Sequence, residues 1–372
     1  MIMNSTVRDY LLNTEHFNLI ARFVFLKSDE SEDKDMVSHV IGGTLSVTKA
    51  NGTRRSISIT VENTGFDFLM SVSKLLALKF KLELGYLIDG TEYYFPQGIF
   101  VFSDASFNDT ADNSVTINAS DKFALINGDL GGELGEMYRV PVGTNIATAI
   151  RNTLIEVGDP KTPLLNISNS IVSPFTLEKE DNYGEILTSF NDMLSCNMYY
   201  DLDGRLRVEP EIADIYKENL WDYTIEYPHY QGGTRTISRK NVYNAVKVIG
   251  ANVNGDLATG YSENKNPTSE FSIQRLGYKR IKKIPDSNIP NDSYAQQRSD
   301  YELKKLMAWF SSISFLSIPL FHFDVDKIVT LTSDNLQLEH ERHLLNSFSI
   351  PLNASGGKMN CDATKASELS FV

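Results

Sequence analysis

Residues able to do chemistry occur along this chain in small groups, and each group competes with a plainer role. His322, Asp324 and Asp326 in FHFDVDKI alternate, so on a strand they would share one face, a spacing that can bind a metal. No further ligand accompanies them, and a solvated strand face is the expected reading. His340 and His343 in EHERH (Glu339–His343) sit three apart in a turn-prone setting, without the helical HExxH that zinc chemistry uses. Asp201 and Asp203 of YYDLDGRL begin like a calcium loop, but the later acidic positions are missing and Asp203-Gly204 is accounted for as a hairpin turn. Glu133 and Glu136 in GGELGEM could be the paired carboxylates of a glycosidase. Such a pair needs a cleft with aromatic sugar platforms, and the chain has two Trp. GxSxG, P-loop, GxGxxG and CxxC patterns are absent. No catalytic, cofactor-binding or metal site is expected, and no enzyme activity. The remaining pair, Asp121-Lys122 in SVTINASDKFALIN, is expected to end a strand, with Asp121 capping the helical turn that follows.

Bulk properties narrow the function further. With 48 acidic against 35 basic residues the net charge is −13, which argues against a nucleic-acid binder, because grip on phosphate needs clustered Lys and Arg. The most basic stretch, GYKRIKKIP at 277–285, is short and lies beside an expected loop. An apolar share of 41% and a charged share of 22% are those of an ordinary globular protein. No apolar run approaches a membrane span, and the amino terminus lacks the continuous apolar stretch of a signal peptide. Cys196 and Cys361 are the only cysteines, so no disulfide framework is expected and folding in a reducing cytoplasm fits.

The elements that must carry these residues are mostly short strands. Asn18 to Leu26 reads as a strand, followed by an acidic exposed loop at Ser28–Asp35. GGTLSVTKA and RRSISITVEN alternate about Asn51-Gly52, a type I′ hairpin signal, with Ile57, Ile59 and Val61 on the buried face. Leu78, Phe80, Leu82 and Leu84 alternate next, and Asp89-Gly90 makes another tight turn. Residues 36–125 thus hold about six strands, the spacing of a closed or sandwiched antiparallel sheet. Helical spacing then appears at Ile146, Ile150 and Leu154, with Thr144 as cap and Gly158 as stop. It appears again at Ile186, Phe190 and Leu194, ahead of a hairpin of Asn197–Tyr200 with Arg205–Glu209. Strands return with Ala245, Val246 and Val248 before an Asn254-Gly255 turn. SYAQQRSDYELKKLMAWF is a helix with Tyr294, Ser299, Leu303, Leu306 and Phe310 near one side, and two strand segments close the chain. No residues recur at a fixed period; the repetition is architectural.

Four pieces in this order resemble the baseplate hub proteins of phage tails. GGTLSV…RRSISITVEN, YYFPQGIFVF and TINASDKFALING are similar to that family's first tube-like domain, with Gly98, Phe100, Asp121 and Lys122 at matching places. VGTNIATAIRNTLIEVG and GEILTSFNDMLSCNMYYDLDGRLRVEP resemble its following helix and helix–hairpin, and HLLNSFSIPLNASGGKMNCDATKA its closing strand pair. The resemblance spans most of residues 36–367. It implies a mainly β fold with an α+β insert: two tail-tube-like antiparallel β-barrels (1–136 and 223–372), each with a flanking helix, around a small α+β domain (137–222). It also implies a homotrimer whose pseudo-hexameric ring adapts a six-fold tail tube to a three-fold spike or fibre. Implied partners are the tail tube or distal tail protein, a central spike or tail-tip lysin, and baseplate wedge proteins. DNA would pass through the lumen without specific binding, and a neutral or acidic lining is expected. The place implied is the baseplate of a virion tail, made in the host cytoplasm. The chain ends at Val372 shortly after the last expected strand, so no enzymatic extension is expected. The alternative is a cell-wall glycan-binding or lytic tail-tip module; a secreted β-rich adhesin is disfavoured by the lack of a signal peptide.

Overall fold

The computed structural model describes residues 4–14, 17–37, 40–62, 76, 79–108, 114–171, 175–177, 181–194, 196–212, 216–220, 225, 229–253, 256–287, 289–308, 311–352 and 357–366. Helix α1 (Ser5–Asn13) comes first, its end capped by the Asn4 side chain accepting from the Thr6 amide at 2.8 Å. Seven strands follow: β1 (Leu19–Leu26), β2 (Glu32–Val37), β3 (Val40–Thr48), β4 (Arg55–Glu62), β5 (Lys79–Ile88), β6 (Thr91–Asn108) and β7 (Ser114–Asp121). The middle of the chain holds β8 (Tyr138–Val140), α2 (Ile146–Glu156), β9 (Leu164–Leu165), β10 (Phe175–Leu177), α3 (Tyr183–Leu194), β11 (Cys196–Tyr200) and β12 (Leu206–Pro210). The remainder contains β13 (Tyr230–Ile237), β14 (Ala245–Val253), β15 (Asp256–Glu263), α4 (Ile273–Leu276), β16 (Ile281–Pro285), α5 (Asp292–Ala308), β17 (Ser311–Ser317), β18 (Ile328–Ser333), β19 (Leu338–Pro351) and β20 (Met359–Lys365).

The fold is mainly antiparallel β. Among the described residues, twelve strands from both ends of the chain form one sheet, in the order β13-β17-β20-β19-β3-β4-β7-β6-β5-β1-β2, with β18 also on β19. Period-two alternation puts Leu45, Ile57, Ile59, Phe80, Leu82, Phe100, Ile117, Phe315, Phe348 and Ile350 into one core drawn from both halves. Helix α1 adds Val7 and Leu11, one turn apart, and the Leu11 carbonyl lies 3.0 Å from His229 Nε2. The middle segment forms a separate α+β unit: α2, α3, the β8–β10 pair and the three-stranded β11-β12-β9 sheet pack around Ile146, Ile150, Ile186, Phe190 and Met198. A third, smaller core lies within 223–372, where β15-β14-β16 is covered by α5 through Val246, Val248, Ala295, Leu303 and Leu306.

Several local expectations change. The Asn51-Gly52 turn is not type I′: Gly52 alone has positive φ, at 111°. The loop instead docks on β11, where the Gly52 amide donates to the Met198 carbonyl at 3.1 Å and Asn51 Oδ1 accepts from the Met198 amide at 3.1 Å. The β3–β4 turn is therefore shaped by a tertiary partner. Asp89-Gly90 keeps the expected form, with φ of 49° and 78°. Half of the acidic Ser28–Asp35 stretch is strand, since β2 begins at Glu32, and Glu30 is buried. Asn145, not Thr144, caps α2 by accepting from the Thr148 amide at 3.2 Å. The segment holding His322, Asp324 and Asp326 is an irregular connection between β17 and β18, so the three do not alternate on a strand. Asn254-Gly255 and Phe310 lie outside the described residues.

The closeness of β3 to β4 yields a direct test. A Cβ built on Gly43 (φ 131°) would stand 2.2 Å from the Ser58 carbonyl oxygen, whereas one on Gly42 meets nothing within 4 Å. Gly43→Ala should cost roughly 2–4 kcal/mol through clash and left-handed backbone strain, and Gly42→Ala less than about 1. Urea unfolding of both variants checks this.

Candidate assembly site

The pair Asp121-Lys122 is the meeting point of three parts of the chain. Asp121 closes β7 and caps the 3-10 turn Lys122–Leu125, accepting from the Phe123 amide at 3.0 Å. Its other oxygen accepts from the amides of Arg54 (2.7 Å) and Arg55 (2.9 Å) at the start of β4. Lys122 is 2% exposed. Its Nζ lies 2.7 Å from Glu30 on the β1–β2 turn and 2.8 Å from Asp159 after α2, and it donates to the Gly204 carbonyl at 3.0 Å. Asp159 also accepts from the Tyr200 hydroxyl at 2.7 Å. Burial, then the charge of Asp159, pushes that phenol well above its usual range. A lysine buried with two carboxylates is a clamp between the large sheet and the α+β unit.

A second charged cluster ties the same unit to the later half. Asp326 lies 2.5 Å from Lys49 and 2.7 Å from Lys217, and accepts from the side-chain Nδ2 of Asn197 at 3.2 Å. Lys217 also meets Glu211. Burial works against the charge on Asp326, but Lys49 and Lys217 outweigh it and hold the carboxyl at about 2. Burial likewise opposes the charge of Lys217, whose neighbours Asp326 and Glu211 raise it nonetheless. Arg55 reaches from β4 to Asp324 at 2.6 Å and to the Tyr200 carbonyl at 3.2 Å. Arg54 lies over the Tyr199 ring, 3.6 Å from its centroid.

The other candidates do not converge. His322 is buried between Phe95 and Phe323. Glu341, beside the two histidines of EHERH, is 3.2 Å from His343 and 3.4 Å from Arg235. Asp201 binds Arg207 at 3.0 Å and the backbone of its own hairpin, at Asp203 and Arg205. Glu133 and Glu136 are exposed. In the basic stretch, Lys279 pairs with Glu263 at 2.6 Å and Arg280 donates to the Lys240 carbonyl at 2.6 Å. Both cysteines are buried and free. Among the described residues no three metal-ligating side chains form a group. Glu30, Asp159 and Lys217 carried no signal in the sequence: each lies in a loop, and Lys122, which meets Glu30 and Asp159, and Asp326, which meets Lys217, are distant along the chain.

Strand registers reveal what the sequence pattern hid. In the first half β3-β4-β7-β6 lie side by side with β5 on the near half of β6; in the second, β13-β17-β20-β19 do the same with β18 on β19. The pairings coincide residue for residue. Ile57 opposes Leu45 and Ala119, as Ile313 opposes Arg235 and Ala363. Ser58 opposes Thr44 and Asn118, as Ser314 opposes Thr234 and Asp362. The bulge between Phe102 and Asp104 on β6 matches that between Leu345 and Ser347 on β19. Aligned this way, Gly42-Gly43-Thr44 falls on Gly232-Gly233-Thr234, Ser56-Ile57-Ser58 on Ser312-Ile313-Ser314, and Asn118-Ala119-Ser120 on Asp362-Ala363-Thr364. The short matches escaped a fixed-period search because a β14–α5 excursion separates β13 from β17, whereas β3 and β4 are neighbours. The two units join through β3 and β19, antiparallel from Thr44↔Pro351 to Thr48↔Ser347.

No family model and no curated protein matches the sequence. The structure is similar to the tail protein from Neisseria meningitidis MC58, with a TM-score of 0.62 and 11% identity, covering 93% of this chain and 96% of that one. It is similar to the 43 kDa tail protein of prophage MuSo2 from Shewanella oneidensis, with a TM-score of 0.59 and 10% identity, covering 92% and 98%. A component of the Escherichia coli type VI secretion system, itself structurally similar to T4 bacteriophage tail proteins, matches with a TM-score of 0.53 and 9% identity over 90% of this chain and 76% of its own. The chain thus has the fold of phage tail proteins, the fold that its resemblance to tail hubs implies.

Both charged clusters can be probed. Lys122→Met leaves Asp159 buried without its cation and should cost about 3–5 kcal/mol in urea unfolding. Adding Asp159→Asn should recover part of the loss, a coupling read by a double-mutant cycle. For Asp326, the ordinary value of 3.8 falls to about 2 in the fold. Its stabilisation is complete above the ordinary value and disappears as pH falls towards 2, a change on the order of 2 kcal/mol. Asp326→Asn should flatten the stability profile across that window.

Proposed function

We propose that this chain is a structural hub of a phage or phage-like tail, three copies forming a ring of six quasi-equivalent units that fits a six-fold tube on one side and a three-fold spike or fibre on the other. The observation that carries this reading is the register-for-register repeat of β3-β4-β7-β6 in β13-β17-β20-β19. Two like units in one polypeptide let three chains present six similar positions while keeping three-fold differences elsewhere. The repeat supports a division into two tube-like domains at 1–136 and 223–372, with 137–222 as the α+β domain between them.

The outward face of the two units supports a channel through which DNA moves without being held. Opposite the core, β3, β4, β7, β17 and β20, with β19 beyond its bulge, present Ser46, Ser56, Ser58, Thr60, Thr116, Asn118, Ser312, Ser314, Ser347, Ser349, Asn360 and Asp362, with Leu316 and Pro351 as apolar exceptions. Lys and Arg are missing from these positions, and Arg342 stands on the same face of β19 before the bulge. Hydroxyls, amides and an occasional carboxylate hydrate well and offer phosphate no cation. This face suits the lumen, and the tube or distal tail protein, spike or lysin, and wedge proteins would meet the rims. No site assembled above supports catalysis, so the hub reading is non-enzymatic and its place is the baseplate of the virion tail.

Size-exclusion chromatography with light scattering tests the reading. The expected result is a particle of three chain masses. A monomer that retains peptidoglycan fragments would instead support a glycan-binding tail-tip module.

A further inference from the structure

We propose that the outer face of the β15-β14-β16 sheet docks an extended, acidic segment of another protein, one that carries glutamate or aspartate between aliphatic side chains. The face belongs to a single chain, so this partner is bound whether the chain is a monomer or a trimer.

Charge is spread unevenly along this acidic protein. Residues 239–285 hold nine Lys and Arg against three Asp and Glu, whereas the whole chain holds 35 against 48. The fold gathers much of that local excess on one surface. Val246 and Val248 turn one side of the sheet towards α5, so Lys247 between them turns the other way. In the parallel β14–β16 ladder Lys247 stands directly beside Lys283, and in the antiparallel β14–β15 ladder it stands opposite Tyr261. Lys247 and Lys283 are both exposed. Lys265 and Lys279 reach the same face, where they share the carboxylate of Glu263 at 2.8 and 2.6 Å. Four lysines therefore stand about one carboxylate.

Two lysines side by side on adjacent strands repel one another and weaken the sheet that carries them. Such an arrangement at the surface is accounted for by an anion that lies across both. The flanking side chains decide which kind of anion. Leu257, at 54% exposed, and Ile281, at 42%, lie on the same face as the lysines. They stand beside Asn252 and Ala245 of β14, so they bracket the lysine row over roughly 20 Å. Aliphatic side chains bury favourably against other aliphatic side chains, whereas bases stack on aromatic rings. Glu263 would also repel a phosphate backbone. An extended peptide covers this length with about six or seven residues, apolar at its ends and acidic between them.

Fluorescence anisotropy of an alternating leucine–glutamate decapeptide, added to the full chain, tests this. The peptide should bind saturably, and more weakly as salt rises. A serine–glutamate decapeptide of equal charge should bind at least about fivefold more weakly, having nothing to set against Leu257 and Ile281. Lys247→Glu combined with Lys283→Glu should weaken the leucine–glutamate complex at least about tenfold. Lys358→Glu, just before β20, should change it less than about twofold. Lys247→Glu alone should unfold at no lower urea concentration than the native chain, because it turns a repulsion into an attraction. That separates lost binding from lost folding. Absence of binding at low salt, or binding that survives both reversals, overturns the docking site. Tighter binding of a thymidylate strand than of the peptide, lost in the double variant, overturns it in favour of a nucleic-acid face. None of these outcomes alters the mass read by light scattering, so the hub reading stands or falls separately.

Discussion

The antiparallel ladder between β3 and β19 is the constraint on which the rest of the molecule depends. It joins residues separated by about 300 positions in the chain, and it makes one sheet and one core from two similar four-strand units. Without it the early strands would end at an open β3 and the late strands at an open half of β19. Hydrogen bonds alone would leave such a union marginal, since each exchanges for bonds to water. Its strength comes from Leu45, Val47, Phe348 and Ile350, all buried at the junction, where each apolar side chain removed from water is worth roughly 1.5–3 kcal/mol.

The α+β unit is fastened differently. Lys122 with Glu30 and Asp159, and Asp326 with Lys49 and Lys217, are charged contacts taken out of water. Such contacts cost desolvation and so add little net stability over apolar packing, yet they punish misplacement severely. Apolar surfaces slide; a lysine that must reach two carboxylates and the Gly204 carbonyl does not. The unit and the sheet are thereby held at one mutual position.

How much of this could be read from the chain follows from the range of each interaction. Hairpins with neighbouring strands were legible, because the alternation of Phe80, Leu82 and Leu84 and the Asp89-Gly90 turn are local. Helix α2 was legible from Ile146, Ile150 and Leu154, although its cap fell one residue later, on Asn145 rather than Thr144. Helix α1 was not, since only Val7 and Leu11 mark its buried face. The Asn51-Gly52 turn was misread because its shape answers to Met198. Asp121 was rightly read as ending a strand and capping the turn that follows, but Glu30 was assigned to solvent because a carboxylate in an acidic stretch gives no hint of a lysine across the fold. The duplication stayed hidden behind three-residue matches, and the hydrogen-bonded registers of the strands, which only a fold supplies, brought it out.

The long reach of β19 also imposes an order on biosynthesis. Strands β3 and β4 leave the ribosome when β19 has yet to be translated, so the nascent chain carries a bare β3 edge for most of its synthesis. The strand that must eventually cover it follows about 300 residues later. Until then, a finished β19 from a neighbouring ribosome on the same messenger is a competent substitute, and exchange of that segment between sister chains is the error most natural to this topology. The glycine pair Gly42-Gly43, with its bulge near the start of β3, interrupts the flat edge during that interval and narrows the stretch on which a stranger could settle.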